Sequence, residues 1–145
     1  MDAVIGLAYA HRRTMVLVHE MGELATSGRT PAHTRRALRL GRHRQLSLLM
    51  CNDRPFTLEP RVIRQADIDY VFDLPGRNDR EYVADTIGWD RDDFNAAMSE
   101  LRPFEYLRYD ALAPKPEPDE PDRRLLHFPP LPEEVIRAAG RTSGH

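Results

Sequence analysis

The sequence predicts an α/β protein with a mainly parallel sheet. Two short stretches, Thr14 to His19 and Leu46 to Cys51, are rich in apolar side chains, which is typical of strands buried on both faces. Between them, Pro31 to His43 has the spacing of an amphipathic helix. Because a helical crossover returns the chain in the same direction, we expect the two strands to pair in parallel.

A third strand, Tyr70 to Leu74, is expected to extend this pair into a βαβαβ sheet through a short helix from Arg61 to Ala66. Asp2 is placed to cap a first helix, and Thr30, with Pro31 at the first helical position, to cap the next. Met21 to Glu23 is expected to lead into a loop. The remaining predicted elements are helices over Asn78–Ile87, Asp90–Leu101 and Glu133–Ala139 and strands over Phe104–Tyr109 and Leu125–Phe128.

The chain is expected to divide into three parts. Residues 1–112 form the main α/β domain, and 113–122 form an extended linker, because four prolines and four charges lie between Pro114 and Pro121. Residues 123–145 form a short strand and helix tail. At 145 residues the chain is long enough for one domain with a real core.

Composition argues against membrane contact and favours a polyanionic partner. No apolar run approaches the roughly 18 residues that span a bilayer, and the single Cys51 fits a reducing cytoplasm. The net charge of −2 conceals an asymmetry: residues 1–66 hold 11 arginines and 5 acids, whereas the rest of the chain is acidic. A basic half suggests contact with a polyanion such as DNA, although uneven surface charge without a partner is the simpler alternative.

The basic residues concentrate on the helix from Pro31 to His43. At about 100° per residue, the side chains that share one third of its circumference are Arg35, Arg36, Arg39, Arg42 and His43. Such an arc can contact the phosphates of a nucleic acid or a nucleotide. It can equally be the solvated face of an amphipathic helix.

Polar side chains follow both predicted parallel strands. Glu20 comes directly after the first strand, and Asn52, Asp53 and Arg54 follow the second. Parallel strands end at one edge of a sheet, where open α/β sheets bind their ligands. We therefore expect Glu20 to lie close to Asp53 and to be a candidate acid–base group.

These residues carry a resemblance to a known family. Val16 to Glu20 looks like a Walker B segment, in which four apolar residues precede Asp-Glu. The segment from Gly41 to Pro55 resembles the GR-x-x-G, strand and ATQRP block of HerA/FtsK-type P-loop ATPases, and Leu58 to Asp67 resembles the L-x-P-x-h-h-x-Q-A/C-D segment that follows. With Tyr70 to Leu74 and the polar turn after it, the resemblance covers about Thr14 to Gly88.

The resemblance implies a partial P-loop NTPase fold for residues 1–112 and a DNA translocase-like ATPase motor that works as a ring of subunits. Glu20 matches the catalytic glutamate that polarises the attacking water, and Asp53 matches the residue that senses the γ-phosphate. His19 occupies the Walker B aspartate position. Arg42 and Arg54 match arginines that approach phosphates, in one case across a subunit contact. ATP and Mg²⁺ are implied as ligands and DNA as the partner of Arg35, Arg39 and Arg42.

Three departures from the family pattern concern catalysis. The sequence contains no G-x-x-x-x-G-K-[ST] loop, and its only lysine is Lys115. His19 replaces an aspartate that assists magnesium binding, and Asp53 replaces a glutamine. We therefore expect the isolated chain to be inactive. It is either the Walker B and sensor half of an ATPase or a degenerate homologue that binds DNA or partner subunits.

In the family, the P-loop strand lies beside the strand that matches Leu46 to Cys51. If the edge of the Leu46–Cys51 strand is unpaired, the chain is better interpreted as part of an ATPase. If the strand Tyr70 to Leu74 pairs with that edge instead, the chain is better interpreted as a self-contained remnant. A zinc hydrolase is a remote alternative, because His19 to Glu23 superficially resembles H-E-x-x-H. That motif requires a helix, and the strand residues before His19 and the glycine at position 22 argue against one.

Overall fold

The protein is represented by a computed structural model, which describes residues 1–117, 122, 124–130 and 132–134. The described part contains six α-helices, one 3-10 turn at Pro55–Thr57 and five strands. The helices are α1 (Asp2–His11), α2 (Met21–Leu24), α3 (Ala32–Arg44), α4 (Pro60–Arg64), α5 (Arg77–Ile87) and α6 (Arg91–Ser99). The strands are β1 (Thr14–Val18), β2 (Leu46–Met50), β3 (Ile68–Val71), β4 (Tyr106–Asp110) and β5 (Leu125–Phe128).

The first sheet is the predicted parallel pair. β1 and β2 run in register from the pair Thr14–Leu46 to the pair Val18–Met50. Helix α3 makes the crossover between them. The prediction of an α/β fold with parallel strands joined by a helix is therefore confirmed.

The second sheet has three antiparallel strands in the order β3-β4-β5. β3 pairs with β4 over Ile68 to Val71, and β4 pairs with β5. The prediction that the third strand would join β1 and β2 in one βαβαβ sheet is wrong for the described residues. Local pattern identifies a strand but not its partner. The partner of β3 is β4, which the predicted βαβαβ arrangement did not include.

One face of the β1–β2 pair is packed and the other is open. Val16 and Val18 point into a core with Ile5, Ala37 and Leu46. The alternate side chains Met15 and Leu17 are 70% and 57% exposed. The prediction that β1 is buried on both faces is therefore wrong in this structure, because α1 and α3 cover only one side of the pair.

Helix α1 packs against α3, and Asp2 connects them. The Asp2 carboxylate accepts hydrogen bonds from the backbone N–H and the hydroxyl of Thr34 at 2.8 and 2.7 Å. It therefore caps the N-terminus of α3 and not that of its own helix, whose N-cap position is Met1. The predicted cap Thr30 makes no side-chain bond to α3, which begins after Pro31.

Replacing Asp2 with alanine is expected to lower the free energy of unfolding by about 1–2 kcal/mol, because Thr34, which is fully buried, loses the acceptor for its N–H and its hydroxyl. Urea denaturation would measure the change. Asp2→Asn is the matched control, since its amide oxygen can still accept both bonds. A loss as large in Asp2→Asn as in Asp2→Ala would contradict the capping role.

Helices α5 and α6 pack on the β3–β4–β5 sheet. Phe94 of α6 is fully buried against Val71 of β3 and Leu107 of β4. Gly88 adopts φ 74° after α5, and the Asp90 carboxylate caps α6 by accepting from the N–H groups of Asp92 and Asp93, so the predicted end of α5 and start of α6 are confirmed. The predicted start of α5 at Asn78 is wrong, because the helix begins at Arg77 with Gly76 in the N-cap position. This packing makes a second core beside that of β1 and β2.

The C-terminal part of the chain is joined to this second core. The predicted strand Leu125–Phe128 is confirmed as β5, and it pairs with the strand that precedes the proline-rich segment. The predicted helix from Glu133 to Ala139 lies almost entirely outside the described residues, as does the tail after it. No described helix has the length and apolar character required to cross a membrane.

Candidate functional site

Strand β1 delivers Glu20 to the carboxyl edge of the parallel pair. The strand ends at Val18, His19 is exposed, and Glu20 occupies the N-cap position of α2 with its side chain partly buried. Glu20 therefore stands where the strand stops and the chain turns. A carboxylate in this position can reach both solvent and a ligand at the sheet edge.

The segments that follow β1 and β2 are bonded to each other. Cys51 donates its N–H to the Val18 carbonyl at 2.9 Å and accepts the N–H of Met21 at 2.9 Å. The N–H of Gly22 donates to the Asn52 side-chain oxygen at 2.7 Å. The expected neighbourhood of the Glu20 turn and the Asn52–Asp53 turn is thus present.

A single helical turn, α2, follows Glu20 where a loop was expected. The Ala25 N–H closes it on the Met21 carbonyl, and Met21 is fully buried. Gly22 allows this turn to approach β2, because a Cβ atom there would lie 2.6 Å from the Asn52 oxygen. Burial of Met21 and the Gly22–Asn52 bond outweigh the low helix propensity of glycine.

The helix does not support the zinc alternative. It begins at Met21, so His19 and Glu23 do not share one helical face. Among the described residues, no group of three His, Cys, Asp or Glu side chains is arranged to hold a metal ion. The finding concerns sites built from three protein side chains, whereas a magnesium ion is usually held by one or two carboxylates together with waters and substrate phosphates.

Asn52 is a residue that the sequence prediction did not select. Its oxygen accepts the Gly22 N–H, while its Nδ2 is buried without a hydrogen-bond partner among the described residues. A buried amide donor in this state is uncommon and lies beside the Glu20 turn. The polar cluster after β2 was noticed in the sequence, but only the tertiary bond distinguishes Asn52 from Asp53.

Asp53 and Arg54 follow Asn52 with exposed side chains. The Arg54 carbonyl accepts from both the N–H and the hydroxyl of Thr57, which fixes the 3-10 turn that starts at the buried Pro55. The side chains of Asp53 and Arg54 therefore project from an ordered backbone at the same edge as Glu20.

Arg42 lies at the opposite edge. It belongs to the last turn of α3, immediately before β2 begins, and its guanidinium pairs with the carboxylate of Asp67. The Arg13 N–H bonds to the Arg44 carbonyl, which places this end of α3 beside the start of β1. The structure thus separates Arg42 from Glu20, Asp53 and Arg54 within one chain.

Apart from Arg42, the arginines of α3 fall into two groups. Arg36 and Arg44 lie over the Tyr9 ring at 4.9 and 5.2 Å, where their guanidinium groups lower the pKa of the phenol. Arg39 is exposed and has no ion pair among the described residues, and Arg35 donates to the Thr30 carbonyl. Arg35 and Arg39 are therefore available to an external anion.

A separate cavity of about 500 Å³ lies at the α5–α6 helix pair, away from Glu20. Its arginines are largely compensated, since Arg77 pairs with Glu81 at 2.6 Å and Arg91 with Asp85 at 2.6 Å. The cavity does not concentrate uncompensated charge. It adds nothing to the Glu20 site.

Asp69 on β3 has an unusually well buried carboxyl group. Burial raises its pKa to about 6, and its Oδ2 has no hydrogen-bond partner among the described residues. Between about pH 4, near the pKa of an aspartate in an unfolded chain, and about pH 6, its pKa in the folded protein, the folded protein binds more protons than the unfolded chain does. Its stability therefore falls as the pH rises through this window and stays lower above it.

Asp69→Asn is expected to raise the free energy of unfolding by about 2 kcal/mol at pH 7.5 and to change it little at pH 4, because only the ionised carboxylate is penalised by burial. Urea denaturation at the two pH values would measure this difference. Asp73→Asn, at an exposed position nearby, is the control. An equal gain at both pH values would show that ionisation is not the cause.

Comparison with known proteins identifies structural relatives only. No family model matches the sequence, and no curated protein matches it. The structure is similar to the genome packaging NTPase B204 from Sulfolobus turreted icosahedral virus 2 in complex with AMPPCP, with TM-score 0.68 and 19% identity over 84% of this chain and 57% of that chain. The fold is that of these NTPases.

Two further solved structures show the same similarity of fold. The same NTPase in complex with ATP-gammaS gives TM-score 0.68 and 19% identity over 83% of this chain and 53% of that chain. B204, the DNA-packaging ATPase from Sulfolobus turreted icosahedral virus, gives TM-score 0.67 and 18% identity over 81% and 52%. The chain thus spans little more than half the length of the structures it matches, and the predicted fold class is confirmed.

Proposed function

We propose that this chain is the Walker B and sensor half of an ATP-hydrolysing motor domain of the HerA/FtsK type, completed by a phosphate-binding segment that it does not contain. The observation that carries the proposal is the bonded pair of turns at the carboxyl edge of β1 and β2, which places Glu20 beside Asn52 and Asp53. This arrangement occurs in a fold shared with NTPases solved in complex with AMPPCP and ATP-gammaS.

In the proposed reaction, Glu20 accepts a hydrogen bond from the water that attacks the γ-phosphate of ATP and takes up its proton. Asp53 and His19 lie beside the position proposed for the attacking water, and Arg54 supplies positive charge near the departing phosphate. We infer that ATP binding requires the completing segment, because the sequence contains no phosphate loop.

DNA is the proposed polymer substrate, and Arg35 and Arg39 are its proposed contacts. Both are exposed and neither pairs with an acid among the described residues, and the neighbour B204 is described as a DNA-packaging ATPase. We propose that Arg42, which lies at the opposite edge from Glu20 and pairs with Asp67 in this chain, acts on a neighbouring subunit of a ring and not on its own site. Each phosphate contact should make binding weaker as salt rises.

The test is ATP binding and hydrolysis by this chain alone and together with the polypeptide encoded directly upstream of the Met1 codon. We expect hydrolysis only from the combination. DNA binding is measured in parallel over a salt series, with Arg39→Gln as the variant and Arg61→Gln as a matched exposed control. If DNA binding depends on salt but ATP does not bind either to this chain alone or to the combination, the ATPase proposal is rejected in favour of a DNA- or subunit-binding module.

A further inference from the structure

Two arginines of α3 converge on one tyrosine ring of α1. Arg36 and Arg44 stand eight residues apart in sequence, which corresponds to about 12 Å along a helix. Their guanidinium carbons nevertheless lie 4.9 and 5.2 Å from the centre of the Tyr9 ring. The two side chains therefore reach the same place, and their like charges concentrate positive potential at this point of the surface.

A third arginine lies beside them. The N–H of Arg13 donates to the Arg44 carbonyl at 3.0 Å, and the Arg13 Nε donates to the side-chain oxygen of Gln45 at 2.8 Å. Gln45 is neutral, so this bond orients the Arg13 guanidinium without cancelling its charge. Tyr9, Arg13, Arg36 and Arg44, here called the Tyr9 cluster, thus hold three guanidinium groups against neutral partners.

No carboxylate neutralises the Tyr9 cluster among the described residues. None of its arginines forms an ion pair there, and the groups that lower the pKa of the Tyr9 phenol are the guanidinium groups of Arg44 and Arg36. The dipole of α3 favours a basic residue in its last turn, which accounts for Arg44. It does not account for Arg36, two turns earlier, or for Arg13, which lies outside the helix.

The turn that supplies Arg13 has a backbone conformation that suits glycine. Arg12 has φ 61° and ψ 167°, a combination that is almost confined to glycine, and Arg13 follows with φ 46°. Glycine would adopt these angles without steric cost, so the shape of the turn does not account for two arginines. Strained backbone of this kind concentrates at functional sites, which agrees with a role for the Arg13 side chain.

The chemistry of the Tyr9 cluster matches a phosphate group. A guanidinium presents its donors in a planar fork that fits phosphate oxygens two at a time, and the Tyr9 hydroxyl can donate one further hydrogen bond. The contacts with the Tyr9 ring and with Gln45 already orient these long side chains. Less side-chain entropy is therefore lost when an anion binds than at freely moving surface arginines.

We propose that the Tyr9 cluster is a binding site for the phosphate group of a phosphate ester. The cluster lies beside the start of β1, at the opposite edge of the sheet from Glu20, and it includes neither of the proposed DNA contacts on α3. It is therefore separate from the proposed ATP position, and the proposal does not rest on the proposed function. Two sources offer this chemistry, namely a small phosphate ester and the phosphodiester backbone of a nucleic acid.

The test measures the binding of two probes to the full chain at low salt. Ribose 5-phosphate is titrated while the arginine Nε–H signals are followed by NMR, and a labelled single-stranded oligonucleotide without terminal phosphates is followed by fluorescence anisotropy. We expect at least one probe to bind, and Arg36→Gln and Arg44→Gln each to weaken that binding roughly tenfold or more, as for a lost hydrogen bond to a charged group.

The pattern of binding identifies the source. Binding of ribose 5-phosphate alone would assign the cluster to small phosphate esters, and binding of the oligonucleotide alone would assign it to a nucleic acid strand. Binding of both would assign it to phosphate groups from either source. Binding of neither probe would overturn the proposal.

Two further variants distinguish a formed site from general attraction to positive charge. Arg36→Lys keeps the charge but loses the planar fork, so it should bind the probe more weakly than the unchanged chain. Arg61→Gln, at an exposed position on α4, should bind it as tightly as the unchanged chain. Full binding by Arg36→Lys, or an equal loss in Arg61→Gln, would overturn the proposal.

Arg39→Gln separates this proposal from the proposed function. If it weakens oligonucleotide binding while Arg36→Gln and Arg44→Gln leave the binding of both probes unchanged, the DNA contact on α3 is supported and the Tyr9 cluster is rejected. If only Arg36→Gln and Arg44→Gln weaken binding, the Tyr9 cluster is supported and Arg39 is not a DNA contact. Circular dichroism of each variant would verify that the fold is retained.

Discussion

If the proposed function holds, Glu20→Gln is expected to lower the kcat of ATP hydrolysis by the complex of this chain with its completing segment roughly 10²–10⁴-fold, the usual contribution of a general base. Glutamine preserves the size and the partly buried position of the side chain at the start of α2. It cannot take up the proton of the attacking water. The KM for ATP should change little, because Glu20 is not proposed to hold the phosphates.

Steady-state hydrolysis over an ATP series, with ATP binding measured separately, would check this result. Glu23→Gln is the matched control, since Glu23 lies three residues along in the same helical turn with an exposed side chain. Equal effects of the two substitutions would indicate that helix α2 tolerates charge loss poorly. An unchanged kcat in Glu20→Gln would remove Glu20 from the reaction.

Phe94→Ala is expected to lower the free energy of unfolding by about 3–5 kcal/mol, the range for deleting a fully buried aromatic ring. Phe94 has no exposed surface and joins α6 to both β3 and β4. Since domains of this size are stable by only about 5–15 kcal/mol, the loss would consume a large share of the total. Urea denaturation would give the value.

Phe104→Ala provides the comparison, because Phe104 precedes β4 and is 81% exposed. We expect a change within about 0.5 kcal/mol, as for other surface substitutions. If the two alanine variants were equally destabilised, the burial of Phe94 would not be the cause of its effect on stability. If neither were destabilised, the packing of α6 on the sheet would be incidental to stability.

Much of the site could be predicted from sequence. Two apolar runs joined by a helix specify parallel strands, and parallel strands place the residues that follow them at one edge. Glu20 and the Asn52–Asp53 turn are therefore neighbours in the structure, as the pattern predicted. An unpaired outer edge of β2 was one of two predicted outcomes, and no described strand pairs with that edge because β3 pairs with β4.

Residue roles that depend on distant partners could not be predicted. Asn52 stood in the same polar cluster as Asp53, and only its bond to Gly22 separates them. Arg42 shared an arc with Arg39 on the helical projection, yet Arg42 pairs with Asp67 whereas Arg39 has no ion pair among the described residues. The helical period determines which side chains share a face but not what approaches that face.

Sequence alone determined most of the helices and strands of this protein and the sheet edge at which Glu20 lies, because apolar periodicity and turn residues act over a few neighbouring positions. Tertiary structure decided which of those elements pair and which surfaces remain open. Asp2 caps a helix that starts 30 residues later, and Met15 and Leu17 are exposed although their strand is as apolar as a buried one. Hydrophobic burial is non-directional and depends on whichever segments are present to cover a face.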